Sequence, residues 1–406
     1  MKKLIVIVII FCITSNALVF GQKKIDSISL YTTKAIELRK ADKLNEAIAE
    51  LKNVINIGTT KAPDFNNKAK SLMLLCNYNR AARELNKTKI NDEIEISKLA
   101  LKNATAAIKL NPKVGDFYFT RAKIKYEYLN QTDSALNDLG KSILLDKSNI
   151  DLYKYRLSIY KLAPNFPCDK ATYDYTQLIK LDTVNSRNNY ENRAECFMKI
   201  NKQDSAILDY TFLINKYQDF KYNEQRGDAY VKIKKYQSGI NDYTIIIKNR
   251  MTKRDIRIKR ANAYYDNNSL DTAFYEYTNI KMEFDMASMN KEIAMVINKI
   301  YGTKLTQLDI DKSDKFLDIA KNDILWPYQL KTADDTKYYN QIKEALSNSI
   351  KADPYQYNAY LWMAEMEYTV ANYEAAKQNY LAAHKIMPLN PEFLFRANKS
   401  EAAKTK

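Results

Sequence analysis

SAILDYTFLI, residues 205–214, has three near copies elsewhere in the chain: YDYTQLIK at 173–180, NDYTIIIK at 241–248 and YEYTNIKM at 275–282. Their shared core of acid, tyrosine and threonine returns with Tyr175, Tyr210, Tyr243 and Tyr277 spaced 35, 33 and 34 residues apart. The flanks recur as well. Upstream of Tyr210 stand Tyr190, Ala194 and Phe197, then Ala206; upstream of Tyr243 stand Gly227 and Tyr230, then Gly239; upstream of Tyr277 stand Ala261 and Tyr264, then Ala273. A small residue followed three positions later by an aromatic, and then another followed four later by tyrosine, puts each pair on one helix face. The unit is therefore two amphipathic helices. Small residues let the helices approach closely, and aromatics fill the space between one pair and the next.

This pattern resembles the tetratricopeptide repeat, a helix-turn-helix unit of about 34 residues with a small residue in each helix, aromatics at set offsets and often a closing proline. The fullest match is AYLWMAEMEYTVANYEAAKQNYLAAHKIMPLNP (359–391), where Tyr360, Ala364, Ala376, Tyr380, Ala383 and Pro388 fall in the family's order. Glu367 departs from the pattern, replacing the first helix's aromatic. Looser copies include NATAAIKLNP at 103–112, SNSIKADP at 347–354, Ala35 with Ala47, Ala122 with Ala135, and Ala171.

The resemblance implies an all-α protein, a right-handed α-solenoid of stacked helix pairs in which each repeat packs on its neighbours. Repeats are expected over 22–284 and 336–391, with a capping helix and tail at 392–406. The interval 285–335 reads as a degenerate repeat or an insertion. Ala273 and Ala376 are 103 residues apart, close to three periods, so two degenerate units are expected between them. Helices are predicted around MNKEIAMVINKI (289–300) and from Ser313, with Ser313 or Asp311 as the N-cap.

Seven Gly and eight Pro in 406 residues leave little material for phosphate-cradling loops and agree with a helix-rich chain. His384 is the single histidine, so neither a His-based triad nor a multi-histidine zinc site can form. DIDKSD at 309–314 imitates the start of a calcium loop, but Asp314 stands where glycine is needed and Ala320 where the bidentate glutamate belongs. No enzyme, cofactor or metal site is read from the sequence.

The first residues, MKKLIVIVIIFCITSNALVFGQ, carry Lys2 and Lys3, an apolar run from Leu4 to Ile13, and a polar stretch ending at Gly21. They read as a secretory signal peptide over 1–21; an uncleaved anchor is the alternative. An exported, periplasmic or envelope-associated protein is expected. Cys76, Cys168 and Cys196 then remain, an odd number. They read as small buried apolar residues, with Cys168 and Cys196 the nearest candidates for a disulfide.

What the family implies is a protein or peptide partner held in a concave groove lined by the first helix of each repeat. In the phase set by Ala194, Gly227 and Ala261, the groove positions are Glu191 and Glu195, Glu224 and Asp228, and Ile258, Asn262 and Asp266. These acids are the wrong sign for a clamp on a C-terminal carboxylate and suit a basic or polar segment. Tyr265, Leu361 and Tyr368 are candidate apolar anchors. The net charge of +16 supports a second reading, an envelope-docking module that binds anionic lipid or cell-wall polymer. Nucleic acid is not an expected partner of an exported chain.

Overall fold

The computed structural model describes residues 27–86, 91–184, 186–249, 254–284, 286–322 and 335–404. The leader at 1–21 and Trp326 lie outside the described residues. Within them every regular element is a helix, and no helix is long and apolar enough to cross a membrane. The chain divides into two compact units, one ending at Cys196 and the other beginning at Phe197.

In the first unit, α1 (27–40) and α2 (Leu44–Asn53) are followed by α3 (Ala62–Asn86) with α4 (Asn91–Leu110), α5 (Gly115–Glu127) with α6 (Thr132–Leu145), and α7 (Ile150–Lys161) with α8 (Cys168–Leu181). The helix α9 (Arg187–Lys199) comes next. Ala35, Ala47, Ala122, Ala135, Ala171 and Ala194 are fully buried, as expected of residues that set close helix approach. Cys168 and Cys196 are buried thiols and form no disulfide; each packs as a small apolar side chain of its helix.

In the second unit, α10 (Gln203–Tyr217) leads into the pairs α11 (Lys221–Lys232) with α12 (Tyr236–Lys248) and α13 (Arg254–Asp266) with α14 (Leu270–Phe284). Gly227 and Gly239 sit where α11 and α12 cross. A β-carbon on Gly227 would stand 2.8 Å from the Tyr243 ring, and one on Gly239 3.0 Å from the Gly227 carbonyl oxygen. Ala206, Ala261, Ala273, Ala364 and Ala376 are likewise fully buried.

Most turns within these pairs place one residue in the left-handed region: Asp42, Asn130, Asn201, Lys234, Asn268 and Ala371, with φ between 54° and 62°. Asp and Asn tolerate this conformation, which is how the chain makes the turns with so little glycine. Lys and Ala do not tolerate it as well. Lys234→Gly is therefore expected to stabilise the protein by about 1 kcal/mol, read as a higher denaturation midpoint; an unchanged midpoint would show the turn to be unstrained.

Beyond α14 the regular alternation breaks. A 3₁₀ turn (Ala287–Met289) leads to α15 (Asn290–Tyr301), then come α16 (Gln307–Asn322), α17 (Asp335–Ala352), α18 (Tyr357–Thr369), α19 (Tyr373–Ile386) and α20 (Pro391–Lys404). Among the described residues three helices, not the four of two repeats, lie between α14 and α18. The pair is α16 with α17, locked by reciprocal bonds between Ser313 and Ser349, whose hydroxyls lie 2.8 Å apart and each donate 3.0 Å to the other's carbonyl. The expected cap at Ser313 or Asp311 is thus overturned. The helix starts at Gln307, with Asp309 accepting from the Thr306 amide at 2.8 Å and hydroxyl at 2.7 Å; Ser313 is fully buried in mid-helix.

Contacts here also reach beyond the nearest neighbours. Thr278 of α14 donates to the Met387 sulfur at 3.6 Å across 109 residues, and the Tyr357 hydroxyl approaches the Met282 sulfur at 2.7 Å. One buried cluster joins Phe274, Ile280, Ile293 and Ile310 to Tyr357, Ile386 and Phe393. The C-terminal repeat thereby folds back onto the end of α14.

Candidate functional site

The acid-Tyr-Thr core is the place to begin, because its three side chains do different work. Tyr175, Tyr210, Tyr243 and Tyr277 are 2–3% exposed and pack the helices together. The hydroxyls of two of them, and that of Tyr380, reach back to the preceding helix: Tyr243 donates to Asp228 at 2.7 Å, Tyr277 to Asn262 at 2.5 Å and Tyr380 to Glu365 at 2.7 Å. Burial, and then the charge of Asp228, push the Tyr243 hydroxyl well above its ordinary pKa, so it remains a donor.

The acid before the tyrosine grips an arginine of its own pair. Arg226 forks onto Asp242 at 2.9 and 2.7 Å and Arg156 onto Asp174 at 2.9 and 2.5 Å, and Arg260 reaches Glu276 at 2.7 Å; in α6, where Leu139 replaces the tyrosine, Arg121 forks onto Asp138 in the same way at 2.8 and 2.7 Å. The threonine accepts from the arginine of the following repeat: Thr176 from Arg193 at 3.0 Å, Thr211 from Arg226 at 3.0 Å and Thr244 from Arg260 at 3.2 Å. Arg226 and Arg260 thus clamp their own pair and latch it to the one before. Planar guanidinium geometry suits this double task.

The groove positions read from the sequence fare differently from one another. Glu224 and Asp228 come together, but Lys259 of α13 bridges them at 3.0 and 2.7 Å. Burial alone would lower the Lys259 pKa; its bonds to Asp228 and Glu224 outweigh that and keep it charged. All three side chains stay 33–38% exposed. Asn262 is exposed while accepting from Tyr277, and Asp266 and Glu195 are exposed. The strip across α11 and α13 is therefore a polar ladder in which one lysine offsets part of the acidic charge that the sequence suggested. Lys259 was missed because it lies one position beyond Ile258 in the phase used. Of the candidate anchors, Tyr265 is covered by Lys299 at 4.4 Å and Tyr368 packs edge-on to Tyr373 at 5.2 Å.

Glu191 lies in the first unit, in a cleft of about 490 Å³ between α7, α8 and α9. Lys154, Lys161, Asn188, Asn189 and Asn192 share its walls, a polar lining of mixed charge.

A second cavity, of about 500 Å³, lies in the second unit between α14, α16 and α18. Apolar walls come from Phe274, Met282, Leu317, Leu361 and Trp362, and the charged lining is Lys281, Asp314, Asp318 and Asp353. Lys281 is committed to Asp314 at 2.5 Å, which also accepts from Asn290 at 2.7 Å and Gln356 at 3.0 Å. Asp353 is 2% exposed and accepts one bond, from the Tyr355 amide at 2.9 Å. Burial raises its pKa from 3.8 to about 6, with Asp314 and Asp309 adding to the rise and Lys281 opposing it.

The linkage sign follows from that rise. Well below pH 3.8 the carboxyl is neutral in both folded and unfolded chains. As pH climbs from 3.8 to about 6 the unfolded chain ionises first, and above about 6 the penalty on the fold has reached roughly 3 kcal/mol. Asp353→Asn is therefore expected to raise the denaturation midpoint at neutral pH and to leave it unchanged near pH 3.5. A loss of stability at neutral pH would show that the negative charge supports the fold.

Among the described residues no group of three or more His, Cys, Asp or Glu is placed to hold a metal ion. No protein-family model and no curated protein matches the chain. Solved structures align with it. Naa15/Naa10 bound to HypK-THB aligns with TM-score 0.51 and 9% identity over 92% of this chain, which spans only 66% of that one. A tetratricopeptide repeat protein from Parabacteroides merdae aligns at 0.33 with 16% identity, over 67% of this chain and all of its own. YrrB, described as a tetratricopeptide protein with an unusual peptide-binding site, aligns at 0.32 with 14% identity, over 44% of this chain and 90% of its own. Helix pairs returning every 33–35 residues, crossing at buried small residues, give this chain the fold of a tetratricopeptide-repeat array.

Proposed function

We propose that this chain is an exported, non-catalytic scaffold that binds a protein or peptide partner on the surface presented by its first helices. Residues 1–21 support export, to the periplasm or cell envelope, where assembly of an envelope or secretion machine is a setting that fits such a scaffold. The observation that carries the binding reading is the ladder of Glu224, Asp228, Lys259 and Asn262. Successive helices align polar groups that are ordered by mutual bonds yet one-third exposed or more, a preorganised surface for polar recognition.

In-cell cross-linking followed by mass spectrometry tests this, with the native chain compared with a Glu224→Lys, Asp228→Lys variant. That variant turns two carboxylates bridged by one lysine into three clustered cations. One dominant protein, attached to the native chain and lost in the variant, is the expected result. A diffuse set of envelope components, unchanged in the variant and released by moderate salt, would overturn it in favour of docking on an anionic surface.

A further inference from the structure

We propose that the cavity between α14, α16 and α18 receives a basic side chain, lysine or arginine, from a polypeptide partner. This rests on the partner-binding reading and adds the chemistry of the segment that is bound.

The cavity's charges do not balance. Lys281 is spent on Asp314, and no cation among the described residues pairs with Asp318, which is exposed, or with Asp353, which is buried. The second carboxylate oxygen of Asp353 accepts no hydrogen bond from the described residues, although the side chain lines the cavity. Around these acids stand the Phe274, Leu361 and Trp362 surfaces. A buried carboxylate, an exposed one, and aromatic and aliphatic walls between them match a side chain with a methylene stem and a cationic head.

The capping bond of this turn needs no charge at 353. Asp353 caps the Tyr355 amide two residues on, and the same bond is made by asparagine elsewhere: Asn111 to the Lys113 amide at 3.2 Å and Asn390 to the Glu392 amide at 3.1 Å. Asn111 is exposed, and Asp146, which caps Ser148, is half-buried. Of these two acids only Asp353 is buried, at the base of the cavity where the C-terminal repeat packs on α14. An amide would do the capping without the cost of a buried charge. The carboxylate is explained by a cation that it meets on binding.

The test titrates the purified full chain with the peptide Ac-Gly-Arg-Gly-NH2, its glutamine analogue and free agmatine, by calorimetry. Binding of the arginine peptide at least about tenfold tighter than the glutamine one, weakened about tenfold by Asp353→Asn and by Trp362→Ala but not by Asp146→Asn, is expected. Equal binding of the two peptides, or indifference to Asp353→Asn in a variant that still folds, would overturn the proposal. Agmatine binding as tightly as the peptide would overturn the polypeptide assignment and leave a small-cation site. Cross-linking separates the two readings. A partner captured equally by the native chain and Asp353→Asn defeats this pocket and leaves the scaffold, whereas no partner with the native chain defeats the scaffold while the titration still reads the pocket.

Discussion

Arg226→Ala is expected to destabilise the second unit by about 3–5 kcal/mol, because it leaves the Asp242 carboxylate, 3% exposed, without its bidentate partner. Asn223 still donates to Asp242 at 3.0 Å, but one neutral amide does not replace a guanidinium. The Thr211 hydroxyl also loses its donor, so the contact between successive pairs weakens together with the pair. The double variant Arg226→Met with Asp242→Leu is expected to recover most of the loss, since replacing both charges removes the desolvation problem. Urea denaturation of the three proteins decides it. A single-variant loss under about 1 kcal/mol would mean that the pair behaves as a solvated surface ion pair.

Tyr243→Ala is expected to cost about as much, 3–5 kcal/mol, by opening a cavity against Gly227, whose missing side chain makes room for the ring. Tyr243→Phe keeps the packing and removes only the bond to Asp228, which Lys259 continues to hold; about 1 kcal/mol is expected. The two variants divide the residue's contribution between its ring and its hydroxyl. Equal losses from both would overturn the view that the recurrent tyrosines act mainly by packing.

Helix pairing could be read along the chain because it is repeated local information. Ala194, Gly227 and Ala261, with their tyrosines at fixed offsets, recur at one period, and any two helices built from them must cross at the small residues. The same logic reached the C-terminal repeat through Ala364, Ala376 and Tyr380. It failed across 286–322, where α15 stands outside the pairing and α16 begins at Gln307. There the decisive contact is Ser313 with Ser349, between residues that carry no periodic signal.

The candidate site was less legible. Its acids were identified, but the charge of a surface depends on what reaches it from another helix, and Lys259 bridges Glu224 and Asp228 from more than thirty positions away, offsetting part of their charge. The arginine partners of the acid-Tyr-Thr core lie one helix upstream and act on threonines of the preceding repeat.

Helical repeats and their buried small and aromatic residues follow from local order along the chain, since a helix face is defined by residues three and four apart. Which carboxylate is solvated and which is sealed does not follow. Asp146 and Asp353 occupy the same kind of turn, and what separates them is the packing of the C-terminal repeat on α14, which buries Asp353 and leaves Asp146 half-exposed. The cost of a charge is set by the dielectric around it, and segments remote in the chain supply that surrounding.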